Sequence, residues 1–179
     1  GVDEEGARGY GDTFDFIRQH FPWERNELGR TNKVYPPFEP VKAEGDTVRV
    51  VQRRMRMNGF GLWDQVEAKG EHLLAEPARL QVVYDEKGGD NKWTFEEQGF
   101  VTREKQKVVY KAKAVQQGIT VQTRSEIKID GCMRVKMSVS PGTKPRRIKK
   151  LVLNVPLKID EANLFHAVTY KNRRHYAGA

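Results

Sequence analysis

Ile119-Thr120-Val121-Gln122-Thr123-Arg124-Ser125-Glu126-Ile127-Lys128 alternates its side chains strictly. Ile119, Val121, Thr123, Ser125 and Ile127 fall on one side; Thr120, Gln122, Arg124, Glu126 and Lys128 fall on the other. Met133, Val135, Met137 and Val139 repeat the pattern, as do Leu151, Leu153, Val155, Leu157 and Ile159. Period-two alternation predicts strands with one buried and one wet face.

The first two runs also define a hairpin. A two-residue Asp130-Gly131 loop would set the Ile127 face opposite Arg134 and Lys136, joining core to solvent. A three-residue loop, Ile129-Asp130-Gly131 with Gly131 left-handed, sets Ile127 opposite Met133, Ser125 opposite Val135 and Glu126 opposite Arg134. The longer loop is the expected one, because a slip of one residue exposes a whole apolar face. It leaves Arg124 opposite Lys136, a like-charge pair that costs a few tenths of a kcal/mol or awaits an anion.

Working outward, a strand region opens at Thr47. Val48 and Val50 share one parity and Val51, Met55 and Met57 the other, which predicts a β-bulge near Val50 or Val51. Asn58-Gly59-Phe60-Gly61 reads as a turn. Strands are expected over 62–68, 71–75, 79–84, 92–95, 99–102, 107–115 and 149–159, with polar, Gly-rich 85–92 and basic 140–150 as loops. Pro156, on the polar parity of the last strand, implies an edge or a bulge. Before this region, Asp12 is a candidate cap for a short helix from Thr13 to His20, ended by Pro22. Tyr35-Pro36-Pro37-Phe38-Glu39-Pro40 is expected to be extended, since proline restricts itself and the residue before it. The fold class is therefore all-β: an antiparallel β-sandwich of about ten strands, with an extended N-terminal arm and little helix. Residues 1–46 form the arm, packed on the sandwich of residues 47–179.

The 179 residues suit one domain with an arm, and a hydrophobic fraction of 37% suffices for one two-layer core. No apolar stretch reaches the roughly 18 residues of a membrane helix. The start, Gly1-Val2-Asp3-Glu4-Glu5, is polar and acidic and does not read as a secretory signal. A chain opening on Gly is expected to be processed or cut from a longer one. The single cysteine, Cys132, excludes an internal disulfide and a Cys-rich zinc site. A net charge of +8 arises from 32 basic residues mixed among 24 acidic ones. That mixture reads first as a solvated basic surface, and second as a module for nucleic acid or an acidic polysaccharide.

Chemistry-bearing patterns are sparse. His20, His72, His166 and His175 never fall at metal-ligand spacing, and there is no GxSxG, P-loop or GxGxxG. Glycoside hydrolysis needs two carboxyl groups about 5 to 10 Å apart. Asp64 with Glu67, Asp12 with Asp15, and Glu96 with Glu97 are close in sequence only, and each pair reads as solvated surface. Neither a catalytic residue nor a metal or other cofactor is expected. Trp63 and Trp93 are the candidate aromatic platforms for sugar, with His166 as a rim contact; core aromatics are the competing reading. Arg146, Arg147, Lys149 and Lys150 form the densest basic run, with Arg53, Arg54 and Arg56 next. Aromatics interleaved for base stacking are missing there, so nucleic acid is disfavoured as a partner.

Several blocks follow one another in a telling order. Asn26-Glu27-Leu28-Gly29-Arg30-Thr31-Asn32-Lys33-Val34 leads into Tyr35-Pro36-Pro37-Phe38-Glu39-Pro40-Val41-Lys42 and Gly45-Asp46-Thr47-Val48. Gly61-Leu62-Trp63-Asp64-Gln65-Val66, Gly70-Glu71-His72-Leu73-Leu74-Ala75-Glu76-Pro77, Asp130-Gly131-Cys132-Met133 and Ala162-Asn163-Leu164-Phe165-His166-Ala167 come after. This order resembles the amino-terminal β-sandwich of large glycoside-hydrolase-like proteins related to glycoside hydrolase family 123, over most of residues 20–168. The resemblance implies a bacterial accessory domain whose parent carries its catalytic carboxylates on a (β/α)₈ barrel beyond Ala179. It also implies that the barrel is this domain's partner, that carbohydrate is the ligand class, and that the location is extracytoplasmic. No catalytic residue transfers to this chain.

Overall fold

The computed structural model describes residues 18–24, 31–85, 92–144, 146–162, 164–168 and 175–178. The chain divides into two compact units, Gly1–Thr31 and Asn32–Ala179. In the first unit Phe21 stacks on Trp23 with ring centroids 5.0 Å apart, and His20 Nδ1 lies 3.1 Å from Glu24 Oε2. Most of the helix expected over Thr13–His20 lies outside the described residues; residues 18–20 are not helical.

The second unit is all-β and antiparallel, with no helix among its described residues. One layer is a four-stranded sheet of order β10-β9-β8-β7, formed by β7 (Thr94–Arg103), β8 (Lys107–Gln116), β9 (Ile119–Lys128) and β10 (Met133–Pro141). The facing layer starts as a five-stranded sheet of β1 (Lys42–Glu44), β2 (Thr47–Val50), β3 (Arg53–Met57), β4 (Trp63–Ala68) and β5 (Glu71–His72), in that order. It continues into the pair formed by β6 (Arg79–Tyr84) and β11 (Ile148–Asn154). The join is backbone: Leu73 N donates to Val66 O at 2.8 Å, Lys158 N to Leu73 O at 2.9 Å and Ala75 N to Pro156 O at 3.0 Å. A hairpin of β12 (Phe165–Val168) and β13 (His175–Gly178), absent from the sequence expectation, lies further on.

Alternation fixes which faces meet. Val48, Val50, Met55 and Met57 of the second layer pack on Phe100, Val108, Tyr110, Ala112 and Ile127 of the four-stranded sheet. Leu80, Val82 and Tyr84 pack on Ala114, Ile119 and Val121, together with Phe60, Leu62 and Ala78. Fully burying each large apolar side chain stabilises by about 1.5–3 kcal/mol, so these two clusters join the layers. The hairpin register is the expected one: Ile127 faces Met133, Ser125 faces Val135, Glu126 faces Arg134 and Arg124 faces Lys136, with Gly131 at φ 77°.

Several local expectations are corrected. The strands expected over 71–75 and 149–159 end at His72 and Asn154, and beyond them only an isolated bridge joins Leu74 to Leu157. The parity switch at Val50 is a two-residue turn, Val51-Gln52, with Gln52 at φ 58°. Reversing the chain there lets Val48 face Met55 on one side of a hairpin, and no bulge is needed. The stretch Tyr35–Phe38 turns instead of extending: the Pro36–Pro37 peptide bond is cis and Phe38 N donates to Tyr35 O at 3.0 Å. The two strands expected over 92–102 are one, β7, broken by bulges between Phe95 and Glu97 and between Phe100 and Thr102. Finally, Leu151 and Leu153 face the core side, opposite Val82 and Leu80, yet they are 43% and 52% exposed. As the outer member of the β6–β11 pair, β11 contributes no residue to either buried cluster.

Candidate functional site

The two candidate tryptophans pack against different core clusters. Trp63 opens β4 and packs half-buried against the first cluster, where its Nε1 is buried without a hydrogen-bond partner among the described residues. Trp93 precedes β7 and packs half-buried against the second cluster, edge-on to Phe60 at 5.2 Å. Phe60 is edge-on to Phe95 in turn, at 5.0 Å, and Phe95 is 46% exposed. The ring of Phe95 lies over Gly59, where a Cβ would come within 2.6 Å of it. Thus the more open ring of this cluster belongs to Phe95, which the sequence did not single out. His166 lies on β12, and its side chain is outside the described residues.

Open polar hollows mark the outer faces of both layers. On the second layer, Arg49, Arg54, Glu67 and His72 form one cross-strand row over β2, β3, β4 and β5. Its charges are paired in part: Arg54 pairs with Glu67 at 2.5 Å and His72 Nε2 lies 3.9 Å from Glu67, while Arg49 stands between Lys42 and Arg54; elsewhere on β3, Arg56 pairs with Asp64. The hollow beside them, about 270 Å³, is open. Gln65, at its floor, is committed to structure: its amide donates to Leu74 O at 3.1 Å and accepts from Leu74 N at 3.0 Å.

On the four-stranded sheet, Lys111, Arg124 and Lys136 stand side by side on β8, β9 and β10. All three are exposed on the face away from the core. The next row holds Lys113, Gln122 and Ser138, with Glu97 opposite Lys113. Glu96 Oε2 lies 2.8 Å from Lys113 Nζ, and that contact raises the lysine pKa. On the other flank are Glu126 and Arg134. An open hollow of about 260 Å³ lies over these two rows, lined by Glu97 as well as by the cations.

Two cations of the densest basic run are engaged in structure. The Arg146 guanidinium sits 4.0 Å from the Tyr84 ring centroid, and Arg147 Nε lies 3.6 Å from Asp85. Burial raises the Tyr84 pKa, with Arg146 opposing it. Burial first, and then Asp46, pushes Tyr110 up to about 12. Cys132 is exposed, and among the described residues no group of three or more His, Cys, Asp or Glu is placed to hold a metal ion.

Two packed antiparallel layers, half-buried tryptophans and open, polar outer faces define the class as a β-sandwich module. A family model described as glycoside hydrolase 123, third domain, matches residues 41–174. The chain belongs to that family. No curated protein matched it.

Proposed function

We propose that this domain is a non-catalytic accessory β-sandwich of a glycoside-hydrolase-like protein, and that it packs against the parent's catalytic domain. The observation that carries this is the stripe along β11 and beyond. Leu151, Leu153, Val155, Leu157 and Ile159 are 43, 52, 38, 53 and 79% exposed, and Leu164 is 75% exposed. So many large apolar side chains left exposed along one segment mark an interaction surface. The family description counts this domain third, so its relatives are multidomain, and a neighbouring domain of the same chain is the occupant. Whether that neighbour lies before or after the sandwich does not alter the chemistry.

Sugar contact is the finer part of the reading. Trp63, Trp93 and His166 remain its candidates, and Phe95 joins them on exposure. The test is kinetic. The purified chain should release no chromophore above the blank from aryl glycosides. Saturable turnover by this chain would mean that it carries a reaction centre.

A further inference from the structure

We infer that the outer face of the four-stranded sheet binds an acidic oligosaccharide, with Lys111, Arg124 and Lys136 holding its carboxylate or sulfate groups. This assignment rests on the accessory-domain reading for the word sugar, and on this chain's own geometry for the word acidic. Directly opposed residues on neighbouring strands have Cβ atoms about 4.5–5.5 Å apart. Arg124 therefore has a cationic residue directly opposite on each side, Lys111 on β8 and Lys136 on β10. Like charges directly opposite one another are destabilising. None of the ion pairs among the described residues involves Lys111, Arg124 or Lys136. The outer row of the second layer also sets Lys42, Arg49 and Arg54 side by side, but there the third cation is paired with Glu67 on the next strand. An oxyanion lying between the three cations replaces repulsion with charge-assisted hydrogen bonds, and the guanidinium of Arg124 offers a planar fork for it.

The surroundings choose among polyanions. Strands lie about 4.8 Å apart, so the row spans roughly 10 Å, longer than one small anion and suited to successive groups on a chain. At its β7 end stands Gly99, where a Cβ would meet nothing within 4 Å, so the row runs out into open space. Gln122 and Ser138, in the next row, supply neutral donors and acceptors of the kind that sugar hydroxyls use. The wet-face positions of β8, β9 and β10 hold no aromatic side chain, which removes the stacking platforms that single-stranded nucleic acid uses. Glu97 and Glu126 lie in the rows on either side, each opposite a cation, Lys113 and Arg134, so the rows beside the three cations carry mixed charge.

The test compares two double variants of equal charge. Arg124→Gln with Lys136→Gln breaks the row; Lys149→Gln with Lys150→Gln removes the same charge from β11. Binding to oligogalacturonate, dextran sulfate, neutral dextran and a single-stranded oligonucleotide is measured by calorimetry at 0.1 M salt. The inference expects wild type to bind at least one acidic sugar and not neutral dextran. The row variant should bind at least tenfold more weakly, and the β11 variant within twofold of wild type. Oligogalacturonate and dextran sulfate separate a carboxylate from a sulfate preference. Equal weakening by both variants, or no binding to either acidic sugar, overturns the assignment. So does tighter binding of the oligonucleotide through the same row. Glycoside turnover, measured separately, sinks the accessory reading and leaves this result standing.

Discussion

The hydroxyl of Ser125 donates to the carbonyl of Gly61 at 2.5 Å, tying β9 of one layer to the turn that enters β4 of the other. Ser125 is fully buried, and Gly61 has φ 69° with space for a Cβ only 3.1 Å from that of Ala112. Ser125→Ala leaves a buried carbonyl without this partner and should cost about 1–3 kcal/mol. Gly61→Ala adds backbone strain to a tight contact and should cost at least as much. Urea midpoints should fall for both, with slopes unchanged; an unchanged midpoint for Ser125→Ala would show that the layers are not tied there.

Asn58 closes the same turn with four hydrogen bonds. Its Oδ1 accepts from Phe60 N at 3.0 Å and Leu62 N at 3.2 Å, and its Nδ2 donates to Trp63 O at 3.1 Å and Ala78 O at 2.7 Å. Asn58→Ala should destabilise by about 2–4 kcal/mol, and Asn58→Asp should not rescue it, because a carboxylate cannot donate. Thermal or urea unfolding of the two variants checks this; a stable Asp variant would mean that the two donated bonds contribute little.

Tyr110 gives the fold an alkaline signature. Its side chain is fully buried and its hydroxyl donates to Asp46 Oδ1 at 3.3 Å, so the neutral phenol is favoured in the folded state. With the folded pKa pushed up to about 12 from 10.0, the native state holds a proton that the unfolded chain releases earlier. Stability is therefore lost as pH rises from about 10 to about 12. Tyr84, raised in the same direction, adds to the slope. Tyr110→Phe should flatten the fall without abolishing it, as read from unfolding midpoints across that range. A variant with the wild-type slope would locate the effect elsewhere.

How much of this was legible in the sequence depended on whether neighbours along the chain were neighbours in space. The 119–139 hairpin was readable to the residue, because turn length and alternation constrain each other; Arg124 beside Lys136 followed from it. The third cation, Lys111, needed the pairing of β8 with β9, which local pattern does not supply. Likewise the alternation at Leu151–Ile159 announced an apolar face but not that the face would be left uncovered. Exposure is a property of the opposite layer, which ends its buried contacts at β6. The tryptophans were visible as residue types only; their packing against two different clusters is a consequence of long-range topology.

The central claim is that β11 is the seam with a catalytic neighbour, and amide hydrogen exchange tests it most directly. Exchange over Ile148–Ile159 is compared between this chain alone and the parent protein that contains it. The account predicts at least tenfold slower exchange in the parent, reversed by Leu153→Lys with Leu157→Lys while β8 and β9 stay protected in both. Equal exchange of this segment in the two proteins would contradict it.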